Sequence, residues 1–177
     1  GNFCKKSGID SHQVMDIFVQ DTKLNLSPYY LKPGFAFGGS CLPKDVRSIN
    51  RLAEKLNIDA PVLSHILPSN HAQIDHGVEM IRQTGARSAA ILGVTFKEGT
   101  DDLRESPIFP VMAELLADGV ELRIHDPLLD LGKCLSHYAA HSKADGGKVA
   151  ILMDHLPRLV FNSAEQACEG ADVIVVS

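Results

Sequence analysis

The residues best suited to covalent chemistry lie in GFAFGGSCLPKD, residues 34–45. Cys41 stands between a flexible Gly38-Gly39-Ser40 run and a Pro-Lys-Asp sequence typical of a helix start. Unpaired N–H groups at a helix start favour the thiolate, the reactive form of cysteine, and Lys44 adds a nearby positive charge. The glycines, which have no Cβ, allow a ligand to approach the backbone. The pattern predicts a reactive thiol; the alternative is a buried, inert cysteine beside a glycine turn.

A second group of charged residues lies in FKEGTDDLRESP, residues 96–107, directly after a predicted strand. Parallel sheets bind ligands at the carboxyl ends of their strands, and Lys97 and Arg104 precede a predicted helix start, which suits a phosphate. The acidic residues of the same loop could instead neutralise both cations and leave a solvated loop. The loop does not have the GxGxxG pattern of ordinary dinucleotide-binding turns.

Two weaker patterns concern a metal and a ribose. Cys134, His137 and His141 share one helical face at a spacing that zinc ligands accept. No acidic fourth ligand accompanies them, which favours surface residues of an amphipathic helix, and we predict no metal site. Asp126 ends a predicted strand, where an acidic residue can bind a ribose. Without the glycine motif, a turn formed with the following proline is the favoured interpretation.

Two kinds of secondary structure position these residues. Residues 1–84 are predicted to be mainly helical, with one helix starting at Pro43 and another running from Pro61 to about Gln83. Pro68 is expected to kink or break the latter helix. Residues 21–42 show no periodicity, which predicts a long loop, either functional or disordered.

From residue 85 onwards, short apolar strands alternate with helices. Four segments are predicted strands: SAAILGV (88–94), VELRIHDP (120–127), the short RLVF (158–161) and DVIVVS (172–177). The first is an apolar run bounded by glycine, as expected of a buried parallel strand. Ser106 and Pro107 predict the start of the helix between the first two strands, and Gly119 predicts its end. The alternation predicts an α/β fold, in which a Rossmann-like, doubly wound parallel sheet follows the helical region. The predicted domains are 1–84 and 85–177.

Composition excludes several classes of protein. The net charge of −5 does not favour binding to nucleic acid or to an anionic membrane. Four scattered cysteines without a CxxC pair argue against a disulfide scaffold and indicate a reducing cytoplasm. No apolar run reaches the roughly 18 residues of a membrane helix. The chain begins at Gly1 and stops in a predicted buried strand, so we expect a fragment of a longer protein.

Two long stretches resemble signatures of the UDP-glucose/GDP-mannose dehydrogenase family: DTKLNLSPYYLKPGFAFGGSCLPKDVRSI (21–49) and LGVTFKEGTDDLRESP (92–107). The family has an N-terminal NAD-binding Rossmann domain, a central helical dimerisation domain and a C-terminal Rossmann-like domain that holds the nucleotide sugar. The resemblance implies that residues 1–84 are the central domain and residues 85–177 part of the C-terminal one. It places the main NAD-binding domain outside this chain, which is therefore expected to be inactive alone.

The resemblance also implies the chemistry, a four-electron, NAD-dependent oxidation of GDP-mannose or a related nucleotide sugar for alginate-type polysaccharide synthesis. The sugar C6 hydroxyl gives a hydride to NAD and becomes an aldehyde, which Cys41 attacks to form a thiohemiacetal. A second NAD takes the second hydride, and the resulting thioester is hydrolysed to the acid. Asp45 resembles the residue assigned to water activation or electrostatic support beside the thiol.

Other family roles carry over to matching positions. Lys44 and Arg104 resemble residues that contact NAD, and Lys97 resembles a substrate-contacting lysine. The remaining implied substrate contacts precede the cysteine: Tyr29, Tyr30, Lys32, Gly34, Phe35, Phe37 and Gly38. Aromatic rings can enclose a nucleotide sugar, and a lysine can pair with its diphosphate. In the family part of this loop reaches a neighbouring subunit, so Lys32 is expected to act in trans within a homodimer.

Three alternatives stay open. A UDP-sugar 6-dehydrogenase of the same family would share these residues, because none of them distinguishes guanine from uracil. A non-catalytic nucleotide-sugar-binding or dimerisation module would have no use for an activated thiol. A cysteine hydrolase would need a histidine partner for Cys41, and none is close to it in sequence.

Overall fold

The structure is a computed structural model that describes residues 1–96, 99, 101–139 and 147–177. The chain divides into two compact units, Gly1–Phe35 and Ala36–Ser177. Across the described residues, no helix combines the length and the apolar character needed to cross a membrane. The predicted fold class is confirmed, because helices precede a Rossmann-like parallel sheet.

The first unit contains short helices and a long loop. Its elements are helix α1 (Asn2–Lys6), helix α2 (Ser11–Phe18) and a 3-10 helix (Pro28–Leu31). The Asp10 carboxylate caps α2 by accepting a hydrogen bond from the His12 N–H at 2.8 Å. Ser27 caps the 3-10 helix in the same way. That helix is the only regular element described between residues 21 and 41, in agreement with the predicted loop.

Two helices begin the second unit: α3 (Leu42–Lys55) and α4 (Pro61–Arg82). The side-chain amide of Asn50 on α3 donates to the Leu63 carbonyl of α4 at 3.1 Å. Helix α4 continues through Pro68, so of the predicted kink or break the break is wrong, while the kink stays a prediction. Pro68 is exposed, and water can therefore bind the Ser64 carbonyl that lacks its usual N–H donor.

A three-stranded parallel sheet with order β2-β1-β3 follows the two helices. The strands are β1 (Ser88–Leu92), β2 (Glu121–His125) and β3 (Val173–Val176). The connections are α5 (Ile108–Ala117), α6 (Leu131–Ala139), α7 (Lys148–Leu159) and α8 (Ala164–Cys168). The central strand and α5 form the middle of the core, where Ile91, Phe109 and Leu115 are completely buried. Burial of these apolar side chains is the main force that holds the sheet and its helices together.

The start of α5 differs from the prediction. Pro107 is the N-cap residue, so the predicted cap by Ser106 is wrong. The Ser106 carbonyl accepts a hydrogen bond from the Phe109 N–H, whereas the buried hydroxyl has no hydrogen-bond partner among the residues that the structure describes. Packing has turned this side chain inward. At the other end, Gly119 adopts a φ of +83°, in agreement with the predicted helix stop.

Cys134 on α6 lies in the core, and the prediction that it is a surface residue is wrong. Its thiol lies 4.0 Å from the Met153 sulfur on α7, and burial raises the pKa of the Cys134 thiol to about 11. His141 lies outside the described residues, while His137 is partly exposed. In the described part of the chain, no three His, Cys, Asp or Glu residues are grouped as metal ligands.

Candidate functional site

Cys41 is the N-cap residue of α3, and its side chain is exposed. The helix begins one residue earlier than predicted, at Leu42, and the Asp45 N–H donates to the Cys41 carbonyl at 2.9 Å. The Ser40 hydroxyl lies 3.6 Å from the cysteine sulfur. The thiol is therefore open to a ligand at a helix start, and the alternative of a buried cysteine is wrong.

Gly38 and Gly39 are buried under the loop that follows β1. A Cβ at Gly39 would lie 2.6 Å from the Phe96 ring, and the φ of +84° is one that favours glycine. A Cβ at Gly38 would overlap the carbonyl of Glu105. The space left by these glycines is therefore filled by the chain's own loop, a contact that the sequence pattern did not predict.

This loop is bonded to the cysteine segment at two further points. The Gly39 N–H donates to the Arg104 carbonyl at 3.0 Å. On α3, the Arg47 guanidinium binds both carboxylate oxygens of Glu105, which raises the pKa of Arg47. Hydrogen bonds thus join the loop after β1 to both the Cys41 segment and the first turns of α3.

Arg104 forms an ion pair with an acidic residue of its own loop. Its guanidinium donates to the Asp102 carboxylate at 2.8 and 2.9 Å, which lowers the pKa of Asp102 and raises that of Arg104. An acidic residue of the loop therefore pairs with Arg104, as the solvated-loop alternative expects. Lys97, the other predicted cation, lies outside the described residues.

Asp126 fixes the start of the same loop from the end of β2. Its carboxylate accepts hydrogen bonds from the N–H groups of Val94, Thr95 and Leu128 at 2.7, 3.1 and 2.8 Å. Burial raises the pKa of Asp126, but these hydrogen bonds outweigh burial, and the pKa lies below its ordinary value. The bond to Leu128 confirms the predicted turn. The two bonds to the β1 loop were not predicted.

Asn70 holds the segment before the glycine turn. Its side-chain oxygen accepts from the Phe37 N–H at 2.9 Å, and its amide nitrogen donates to the Phe37 carbonyl at 2.8 Å. Sequence reasoning missed this residue. A signal was present, because Asn70 is a polar residue at helical spacing from Ile74 and Val78, which are both buried.

The other predicted site residues divide between the two units. Lys44 and Asp45 are exposed on the first turn of α3 and form an ion pair at 3.2 Å. Five predicted substrate contacts lie in the first unit, all at exposed positions: Tyr29, Tyr30, Lys32, Gly34 and Phe35. The two tyrosine rings meet edge to face, with centroids 5.7 Å apart.

Comparison with protein families gives two matches. Residues 1–72 match the model of the UDP-glucose/GDP-mannose dehydrogenase family, central domain. Residues 90–177 match the model of the same family's UDP binding domain. The matches follow each other along the chain without overlap.

The alignments with individual relatives span almost the whole of this chain. It is 40% identical over 176 residues to the GDP-mannose 6-dehydrogenase of Pseudomonas syringae pv. syringae, an alignment that covers 99% of this chain and 39% of that protein. It is 30% identical over 181 residues to the UDP-glucose 6-dehydrogenase of Rickettsia typhi, with 99% of this chain and 38% of that protein covered. The chain thus spans well under half the length of these curated relatives.

Solved structures agree with the sequence matches. A ternary complex of GDP-mannose dehydrogenase from Pseudomonas aeruginosa gives a TM-score of 0.70 at 39% identity, over 99% of this chain and 39% of that one. A UDP-glucose dehydrogenase from Pyrobaculum islandicum gives a TM-score of 0.77 at 24% identity, over 97% of this chain and 36% of that one. The second likeness shows a shared fold.

Proposed function

This chain belongs to the UDP-glucose/GDP-mannose dehydrogenase family, and we propose that it serves the NAD-dependent oxidation of GDP-mannose to GDP-mannuronate, a precursor of alginate-type polysaccharide. The observation that carries the proposal is the exposed Cys41 thiol at the N-cap of α3. The backbone of the same segment is hydrogen-bonded to the loop after β1. The 40% identity to a GDP-mannose 6-dehydrogenase, against 30% to a UDP-glucose 6-dehydrogenase, supports the choice of sugar nucleotide.

In the proposed reaction, Cys41 holds the sugar covalently between two oxidations. NAD supplies the hydride acceptor in each oxidation. The sulfur attacks the C6 aldehyde, a C–S bond forms, and the carbonyl oxygen takes up a proton to give a thiohemiacetal. Loss of a second hydride from C6, together with release of the hydroxyl proton to water, leaves a thioester. Water then adds to the carbonyl carbon, the C–S bond breaks, and the acid and the free thiol are released.

Other side chains of the chain suit the supporting roles. Lys44 and Arg104 are exposed cations, which fits contact with the diphosphate of NAD. Asp45 lies one helical turn from the thiol and is exposed, so its carboxylate can orient the hydrolytic water. The paired aromatic rings of Tyr29 and Tyr30 suit the enclosure of a nucleotide sugar.

We also propose that the chain forms a homodimer through its helices. Helix α3 exposes apolar side chains at helical spacing: Leu42, Ile49, Leu52 and Leu56. Val62 at the start of α4 is exposed as well. An apolar row of this length is typical of a surface that is covered by a partner.

The four cysteines are all free, which supports the predicted reducing, cytoplasmic location.

Thiol labelling tests the central claim. We expect iodoacetamide to modify Cys41 about tenfold faster than Cys4, because a thiol at a helix start is more reactive than an ordinary one. GDP-mannose should slow the modification of Cys41 alone. Peptide mass spectrometry follows each cysteine, and buried Cys134 provides an unreactive internal control. Equal rates of modification at Cys41, Cys4 and Cys168 would overturn the assignment of Cys41 as the nucleophile.

A second experiment separates GDP-mannose from the UDP-sugar alternative. A ligand stabilises a folded protein in proportion to its affinity, so thermal unfolding with GDP and with UDP compares the two bases. We expect a larger upward shift of the unfolding temperature with GDP. A larger shift with UDP would favour the alternative, which the similarity to the Rickettsia typhi UDP-glucose 6-dehydrogenase motivates.

A further inference from the structure

We propose that Asn70 is a positioning residue for the nucleophile: its side-chain amide fixes the backbone of Phe37 and so sets the place of Cys41. The inference rests on the proposed function in one respect, the role of the Cys41 thiol. It assigns to Asn70 no contact with the substrate or the cofactor.

The geometry is that of a two-point clamp. The Asn70 oxygen accepts from the Phe37 N–H at 2.9 Å, and the nitrogen donates to the Phe37 carbonyl at 2.8 Å. A primary amide can satisfy a donor and an acceptor of one residue at once, whereas a carboxylate can only accept and a leucine can do neither. Both groups are partly buried, so water competes weakly for the two bonds.

The clamp acts directly before two residues that have little conformational preference of their own. Gly38 and Gly39 follow Phe37 directly, and glycines give a chain more conformational freedom than any other residue. The next backbone bond in the segment is that of the Gly39 N–H to the Arg104 carbonyl at 3.0 Å. Asn70 therefore holds one side of the glycine turn and Arg104 the other, and Cys41 follows two residues later.

The position of Asn70 on α4 supports this assignment. It continues the row of Ile74 and Val78, whose side chains are buried in the core. Leucine at this position would extend the apolar row and has a higher helix propensity than asparagine. The amide is thus not needed to form α4. Its hydrogen bonds serve the turn, which lies 33 residues earlier in the sequence.

The test compares Asn70→Leu and Asn70→Asp with the matched control Asn50→Leu. Asn50 also donates from its side chain to a backbone carbonyl, that of Leu63, but does not bond to the glycine turn. Two quantities are measured on the whole 177-residue chain. The first is the rate of iodoacetamide modification at Cys41 relative to Cys4. The second is hydrogen exchange at the Phe37 amide.

In Asn70→Leu we expect faster exchange at Phe37 and a Cys41 to Cys4 rate ratio reduced about fivefold, the equivalent of one net hydrogen bond. Asn70→Asp keeps an acceptor for the Phe37 N–H and should fall between Asn70→Leu and the wild type. Asn50→Leu should change neither quantity. An unchanged rate ratio in Asn70→Leu would overturn the proposal, and Asn70→Asp decides by the same criterion if the leucine variant does not fold. If wild-type Cys41 is no faster than Cys4, the proposed function fails, and Phe37 exchange alone decides whether Asn70 holds the turn.

Discussion

The centre of the sheet and the outer face of helix α3 differ in how far their apolar side chains are buried. In the sheet and α5, Ile91, Phe109 and Leu115 are 0% exposed. On α3, by contrast, Leu42, Ile49, Leu52 and Leu56 are between 42% and 58% exposed. Around β1 and α5 the chain itself covers its apolar side chains, whereas those of α3, like Ile174 and Val176 on the edge strand β3, stay exposed. On α3, the dimer contact proposed above would cover these side chains.

Substitution of Leu52 by Glu should have the largest effect, because it places a charge in the proposed dimer contact. An unpaired charge buried in an apolar contact costs on the order of 3 kcal/mol or more, enough to dissociate a dimer. Sedimentation should show a dimer for the wild type and a monomer for Leu52→Glu. The control is Ile151→Glu, which changes an equally exposed apolar residue on α7. A wild-type monomer, or dissociation by the control alone, would contradict the comparison.

Substitution of Gly39 by Ala tests the packing between the cysteine segment and the sheet loop. The new Cβ would lie 2.6 Å from the Phe96 ring in a backbone with φ of +84°. We expect Gly39→Ala to lower the free energy of unfolding by about 3 kcal/mol, because it combines backbone strain with overpacking. Gly85→Ala is the matched control, because φ is +69° and no atom lies within 4 Å of its Cβ. Its expected loss is about 1 kcal/mol, from strain alone. If urea unfolding shows the same decrease in unfolding free energy for Gly39→Ala and Gly85→Ala, Gly39 is not packed against Phe96.

Substitution of Asp126 by Asn should lower the free energy of unfolding by about 2 kcal/mol. The reason is that it replaces charge-assisted hydrogen bonds from the N–H groups of Val94, Thr95 and Leu128. The pKa of Asp126 is lowered in the folded state. Its contribution to stability is therefore complete above the unfolded pKa of about 3.9 and is lost as the pH falls through the lower folded pKa. Unfolding free energies at several pH values should converge for the wild type and Asp126→Asn in acid. Asp75→Asn, an exposed carboxylate on α4, serves as control.

The Arg47–Glu105 pair should have the smallest effect. Both side chains are 42% exposed, so solvent screens a bidentate ion pair that would otherwise be strong. A double-mutant cycle with Arg47→Gln and Glu105→Gln should give a coupling free energy of about 0.5–1 kcal/mol. High salt should reduce this coupling. A coupling that is independent of salt would show that packing, rather than charge, joins α3 to the loop.

Two of the predictions that failed share one cause. Ser106 has the local features of a cap, and Cys134 those of an exposed helical face. In both cases tertiary packing decided otherwise, because the Ser106 hydroxyl is buried and α7 covers Cys134. Local propensities amount to about 1 kcal/mol or less for most residues, and burial of a large side chain outweighs them.

The amino-acid sequence by itself determined the strands β1, β2 and β3, the turn at Asp126 and a helix start beside Cys41, because these depend on neighbours within a few residues. Only the tertiary structure decided what surrounds the thiol. The contacts of Asn70 with Phe37, of Arg47 with Glu105 and of Asp126 with Val94 span 33, 58 and 32 residues. A hydrogen bond across such a distance forms only after the elements have packed, and no local pattern specifies which groups will then face each other.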